Sequence, residues 1–240
     1  MIRFYAPDIA NDPRLPEMES GHCVRVLRHR EGDIIEVVDG KGRLYKCIIA
    51  EVRPKAVLLD IIESVIQPDP WPQNITVAVA PTKNIDRMEW MIEKLTEIGI
   101  NRFVPVKCDH SERKELKIER IEKIAVSAMK QSLKASLPLL EPVTPLRQFV
   151  QSLPDSLRNR YICYCNDDMY DRRTLTESYT SNNDSVVLIG PEGDFSPEEV
   201  TFAVSHGFIP VSLGPCRLRT ETAAIVAADT IHILSSISKK

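Results

Sequence analysis

Between Asp33 and Val65 apolar and polar residues alternate in three short runs, DIIEVVDG, GRLYKCIIAEV and AVLLDIIESV. Period-2 alternation predicts strands with one buried face, and Asp39-Gly40-Lys41-Gly42 reads as the hairpin turn joining the first two. A β meander is the expectation. Three prolines between Gln67 and Pro72 each remove a backbone donor and fix φ, so no ladder continues there. That segment predicts a linker between a small domain, 1–70, and a larger one, 73–240.

Past the linker the period changes. ITVAVAP (75–81) is a strand, and Ile85, Met88, Ile92, Leu95 and Ile98 recur at helical spacing before Gly99, a residue suited to a helix C-terminus. A strand over 102–106 and a helix over 117–135 follow. Strands at 160–165, 185–190 and 208–213 then alternate with helices at 197–206 and 221–235. Such alternation predicts an α/β domain with a mostly parallel sheet between helices.

Composition narrows the class. The chain has 240 residues, 43% hydrophobic and 27% charged, which excludes a disordered or fibrous protein. No apolar run nears the ~20 residues of a membrane-spanning helix, and MIRFYAPD lacks a secretory pattern; a cytoplasmic protein without membrane attachment is expected. The net charge of −3 leaves nucleic-acid binding to local patches. One such patch is Arg25, Arg28, His29 and Arg30. Another is Lys107–Lys134, where eight basic residues meet five acidic ones, although a solvated helix face explains a charge run equally well. The six cysteines include no C-x-x-C pair and no histidine at zinc-ligand spacing, so reduced thiols and no metal are expected. Within RYICYC, Cys163 and Cys165 share a strand face and read as core filling.

The candidate chemistry sits at two turns. SVVLIG runs into Pro191-Glu192-Gly193-Asp194-Phe195, and Ser196-Pro197-Glu198-Glu199 then opens a helix as a capping box. Gly190 and Gly193 permit close approach of the backbone to a ligand. The next strand ends at Gly214-Pro215-Cys216-Arg217-Leu218-Arg219-Thr220-Glu221-Thr222, before a helix that is apolar on nearly every face. Two successive strand ends of this kind predict one crevice at the carboxyl edge of the sheet, where α/β proteins bind ligands. A buried final helix would shield Arg219 and Glu221 from solvent, and a structural salt bridge between them is the plain alternative to a chemical role. The mixed charges Asp86, Arg87, Glu89, Glu93, Lys94 and Glu97 read as ordinary support along an exposed helix face. Phosphate loops, dinucleotide fingerprints, nucleophile elbows and zinc-protease motifs do not occur. A crevice rich in backbone groups and poor in nucleophiles suits a cofactor that brings its own leaving group.

The segments HCVRVLRHREGD (22–33), KNIDRMEWMIEKLTEIGI (83–100), MKQSLKASLP (129–138), LIGPEGDFSPEEV (188–200) and LGPCRLRTETAA (213–224) together resemble the RsmE family of small-subunit (16S) ribosomal RNA uridine N3-methyltransferases. The likeness runs in order through nearly the whole chain. It departs at Cys216-Arg217 and at Ile85. The resemblance implies a PUA-like β-barrel followed by a SPOUT α/β domain knotted around S-adenosylmethionine, and a homodimer with its active site completed across subunits. It implies cofactor contacts at Gly190, Pro191, Glu192 and Gly193 in the first turn, and at Leu213, Gly214 and Leu218 in the second. Arg219 is the candidate for stabilising the uracil imide anion, with Glu221 orienting it or accepting the proton. Arg25, Arg28, Lys130 and Lys134 are the candidate RNA contacts. Two other readings stand beside this one: a SPOUT enzyme acting on another RNA, and a non-catalytic dimeric RNA-binding module.

Overall fold

The computed structural model describes residues 2–53, 55–165, 173–180 and 183–237. They form two compact units, one comprising Met1–Pro70 with Ala125–Leu137, the other Trp71–Ile124 with Pro138–Lys240.

In the first unit, β1 (Arg3–Tyr5), β2 (Arg14–Leu15), β3 (Ile34–Val38), β4 (Arg43–Arg53) and β5 (Ala56–Ile66) make one sheet in the order β1-β3-β4-β5-β2. The β1–β3 pair is parallel and the rest are antiparallel. Alternation in the sequence sends Ile35, Val37, Tyr45, Cys47, Ile49, Val57 and Leu59 inward, where they meet Phe4, Ile9, Leu15 and Cys23. A short helix, α1 (Glu17–Gly21), leads into a π-helical turn, His22–Val26. Burial pushes the thiols of Cys23 and Cys47 up to about 11.

The second unit carries β6 (Ile75–Val79), β7 (Arg102–Lys107), β8 (Leu139–Leu140), β9 (Thr144–Pro145), β10 (Asn159–Cys163), β11 (Arg173–Thr174), β12 (Ser185–Ile189) and β13 (Ile209–Ser212). The strand order is β11-β13-β10-β12-β6-β7-β8, with β9 also on β7, and every pairing is parallel. Its helices include α2 (Ile85–Ile98), α4 (Leu146–Ser152), α5 (Leu175–Ser178), α6 (Pro197–Ser205) and α7 (Thr220–Ile237), and α3 (Ile118–Gln131) has its second half in the first unit. The central strands β6 and β12 are buried along nearly their whole length, as expected of a parallel sheet covered on both faces. Asn84 caps α2, and Gly99 ends it at φ +108 with its N–H on the Leu95 carbonyl.

The helix expected over 117–135 stops at Gln131. Ser132 Oγ bonds the Ala128 carbonyl at 2.7 Å, Leu133 turns to φ +56, and the Lys134 N–H returns to the Met129 carbonyl. This break folds 132–137 back, so that Met129 and Ala135 pack on Val38 within the first unit. Sequence order alone assigns this segment to the α/β domain, whereas its packing assigns it to the first unit. Among the described residues no helix is long and apolar enough to cross a membrane.

Candidate active site

The two turns singled out by the sequence leave adjacent regions of the sheet. β12 and β13 both pair with β10, so their carboxyl ends flank the same central strand. A cavity of about 780 Å³ lies there, lined by Gly190, Pro191 and Glu192 from the first turn and by Leu213, Gly214 and Leu218 from the second. Small-molecule sites commonly span ~300–1,000 Å³.

Each turn is held by identifiable bonds. The Pro191 carbonyl accepts from the Asp194 N–H at 2.9 Å, while Asp194 itself sits at φ +63. Its carboxylate accepts from the N–H of Phe195 at 2.8 Å and of Cys165 at 3.0 Å. The capping box is present, with Ser196 Oγ and the Glu199 side chain bonding each other's backbone N–H groups. Glu199 also accepts from the Asp109 N–H at 2.9 Å, and Ser196 Oγ donates to Asp109 at 2.8 Å. His110 Nδ1 lies 3.2 Å from the Gly193 carbonyl and 3.0 Å from that of Asp194; to bond either, this nitrogen must carry the proton and donate. The two turns are tied to each other where Thr220 Oγ1, in the first turn of α7, donates to the Gly190 carbonyl at 3.0 Å.

The glycines differ in what they do. A Cβ on Gly190 would come within 3.1 Å of the Phe195 ring and 3.2 Å of Asp194 Oδ1, so that position is closely packed. Gly214 is at φ +122 with nothing within 4 Å of a Cβ; its requirement is conformational, since L side chains rarely adopt such a φ. Gly193 does not line the cavity. A Cβ there would approach the His110 Cβ at 3.2 Å.

Arg219 lines the cavity and is exposed, whereas Glu221 is 6% exposed and does not line it. The expected shielding therefore holds for Glu221 alone, because Arg219 precedes α7 on the loop. Glu221 faces Arg87 across 3.6 Å, and Arg87, read from sequence as surface support, lines the cavity. A signal for Arg87 was present. It lies in the first turn of α2, where the helix dipole disfavours a cation, and α2 starts just beyond the carboxyl end of β6.

Cys165 is not core filling, whereas Cys163, the last residue of β10, is largely covered. Both line the cavity, Cys165 is exposed, and Cys216 joins them from the second turn. Strand β10 ends at Cys163, so the alternation that predicted a buried face runs out before Cys165. Burial, followed by the nearby Cys165 and Asp194, pushes the Cys163 thiol far above its ordinary range.

The four candidate RNA contacts fall in the first unit. Arg25 and Arg28 are exposed, and Arg28 is held at φ +61. Lys130 is mostly covered and pairs with Glu19 at 2.5 Å, while Lys134 is partly buried.

These features, main-chain-rich turns closing a cavity at the carboxyl edge of a parallel sheet in a chain that also carries a separate small β unit, coincide with known sequence patterns. Residues 69–232 match the family described as RNA methyltransferase domain, and residues 15–62 match the RNA methyltransferase PUA domain. The class is therefore an RNA methyltransferase.

Among individual relatives, the ribosomal RNA small subunit methyltransferase E of Bacillus subtilis is 30% identical over 224 residues, covering 89% of this chain and 86% of that protein. The chain belongs to the ribosomal RNA small subunit methyltransferase E family. Of solved structures, a "probable rRNA-methyltransferase" from Porphyromonas gingivalis is 44% identical, with a TM-score of 0.94 over 99% of this chain and 100% of that one. The Neisseria gonorrhoeae ribosomal RNA small subunit methyltransferase E, solved with S-adenosylmethionine bound, is 26% identical, with a TM-score of 0.85 and 98% of each chain covered.

Proposed function

We propose that the protein methylates N3 of one uridine in small-subunit ribosomal RNA, using S-adenosylmethionine held in the cavity between the two turns. The observation that carries this reading is the convergence of six of the seven expected cofactor residues on one cavity. The residues fit the cofactor: Gly214 leaves open space at a φ only glycine adopts easily, and the turn around Gly190 is packed tightly enough to hold its backbone in place.

Bound there, S-adenosylmethionine supplies a methyl group on a positively charged sulfur. The chain's own contribution is placement and charge. Gly190, Pro191, Glu192, Leu213, Gly214 and Leu218 fix the orientation of the ligand through rigid backbone, and Gly193 acts from behind, through its carbonyl near His110. Holding two reactants at near-attack distance is worth about 7–11 kcal/mol of the barrier. Uracil N3 must lose a proton before it attacks, and a neighbouring cation favours the anion. Arg219, exposed on the cavity wall, takes that role. Glu221, buried off the cavity wall, pairs with Arg87 rather than Arg219 and acts as the carboxylate that orients Arg87 at the cavity.

The first unit, with a domain boundary near 70, is the proposed RNA-binding domain, with the exposed Arg25 and Arg28 as phosphate contacts; Lys130, engaged by Glu19, and the partly buried Lys134 lie on the segment 125–137 that completes the unit. A homodimer is proposed, supported by Trp90 on α2 and Ile233 and Ile237 on α7, which are 46%, 48% and 62% exposed; burying such side chains against a second copy is favourable. A trefoil knot around the cofactor and a cytoplasmic location complete the proposal. The test is nucleoside mass mapping of ribosomal RNA from a deletion strain, together with calorimetry using S-adenosylmethionine. Loss of a single N3-methyluridine on deletion supports the reading, and an unchanged modification map overturns it.

A further inference from the structure

The loop between β7 and α3 carries Asp109, His110 and Arg113, none of which lines the cavity, yet it bonds both the first cofactor turn and the segment that leads into α2. Asp109 and His110 hold the turn at Ser196, Glu199, Gly193 and Asp194. Arg113 holds the other segment: its Nε donates to the Thr82 carbonyl at 3.0 Å and its Nη2 to the Lys83 carbonyl at 2.7 Å. Both carbonyls precede Asn84, the cap of α2, so the helix offers them no donor, and Thr82 is fully buried. A guanidinium presents its donors in a rigid planar fork that takes two successive carbonyls at once, which the point charge of an ammonium does not reproduce. The segment so held reaches the cavity through one bond. The Lys83 N–H donates to Glu192 Oε1 at 3.1 Å, and Glu192 is exposed and lines the cavity. Residue 83 therefore passes the constraint on, its carbonyl fixed by Arg113 and its N–H fixing a carboxylate.

We propose that Arg113 is a positioning residue for cofactor binding, acting through the Lys83 backbone to fix the Glu192 carboxylate at the cavity. The proposal rests on the reading of the cavity as the S-adenosylmethionine site. An exposed glutamate loses rotamer freedom when it engages a ligand, and a carboxylate held beforehand in one orientation has that loss removed from binding. S-adenosylmethionine offers such a carboxylate an ammonium group, ribose hydroxyls and a sulfonium charge, so a fixed Glu192 raises affinity where a mobile one does not. Arg113 touches neither the cofactor nor the reacting atoms; its effect belongs to the binding step.

The experiment measures, on the full-length protein, S-adenosylmethionine affinity by titration calorimetry, melting temperature by scanning calorimetry, and turnover of unmodified ribosomal RNA at saturating cofactor. Arg113→Ala should lose about tenfold in affinity with kcat within about twofold of wild type, since charge-assisted bonds leave the relay and none leaves the reacting atoms. Arg113→Lys, which keeps the charge but not the fork, should fall between that variant and wild type, and it carries the test if the alanine variant does not fold. In a Glu192→Ala background, Arg113→Ala should weaken binding by less than about twofold more, because the relay has nothing left to position. Glu112→Gln, which breaks an exposed 2.8 Å pair with the Lys83 ammonium, should leave affinity within about twofold. The proposal is overturned if the Arg113 variants melt earlier yet bind cofactor as wild type does, if their loss persists in full without Glu192, or if Glu112→Gln matches it. Wild-type protein that binds no S-adenosylmethionine overturns the cofactor reading and this proposal together; wild-type binding matched by the Arg113 variants overturns this proposal alone.

Discussion

Replacing Gly214 by alanine separates backbone strain from crowding. A methyl group at this position meets nothing within 4 Å, yet the residue sits at φ +122. The only objection to alanine is therefore conformational, about 1–3 kcal/mol for a side chain held in a sparsely populated region. Two limits bracket the outcome. If the loop keeps its shape, the cost appears in folding, at about 2–4 °C of melting temperature per kcal/mol for a domain of this size. If the loop relaxes to negative φ, stability returns but the cavity wall moves. The same free energy then appears as a loss of S-adenosylmethionine affinity, roughly 5- to 140-fold at about 1.4 kcal/mol per factor of ten. Scanning calorimetry and titration calorimetry on one preparation should give losses that sum to this range. Gly21 is the control, because it has helical φ −60 and equally open space; alanine there should be neutral or slightly stabilising. A Gly214→Ala protein with unchanged melting and unchanged affinity refutes the reasoning.

Thr220→Val keeps the shape but strips the donor from the buried Gly190 carbonyl, and an unmade buried bond costs about 1–3 kcal/mol. Chemical denaturation should register that loss alongside weaker cofactor binding. Arg219→Ala should lower kcat on unmodified ribosomal RNA while leaving cofactor affinity within a few-fold; wild-type turnover would remove Arg219 from the mechanism. Because Lys130 is engaged with Glu19, Lys130→Ala should cost about 1–3 kcal/mol of stability and leave the salt dependence of RNA binding unaltered. Arg25→Ala, by contrast, should flatten that slope by about 0.7 for a single-stranded target, as read from binding titrations over a salt series. Cys23 and Cys47 are held protonated to about 11, against an ordinary 9.0. Their raised values give stability that is complete below pH 9 and lost as pH rises toward 11, so melting of the first unit should drop across that window, and less so in a Cys23→Ala, Cys47→Ala double variant.

What the sequence made legible was whatever depends on near neighbours. The capping box at Ser196 and Glu199, the helix stop at Gly99 and the strand alternation from Ile34 onward are all set within a few residues, and all appear in the structure. Convergence of the two turns was also readable, since ligand sites lie at carboxyl strand ends in parallel sheets. The short strand Arg3–Tyr5 was not, because its partner is the distant β3 and three residues carry no period. The placement of α3 failed for a related reason. An amphipathic pattern reveals which face of a helix is buried but is silent about what buries it, and Met129 finds Val38 rather than the sheet of the second unit. Arg87 is hard to place from sequence because charge spacing along α2 looks the same whether the face meets water or a cavity. For Cys165, alternation was extended past the end of its strand.

The shared helix α3 sets a limit on how the gene can be divided. Trimming the polypeptide at the proline-rich stretch near residue 70 would strip away Met129, Ala135 and Leu137, the lid over Val38, Tyr5 and Leu44. The amino-terminal fragment would emerge with an oily wound on its sheet and a tendency to clump. Moved onto another enzyme as a simple prefix, this module would leave that face bare unless the transplant also carried residues 125–137.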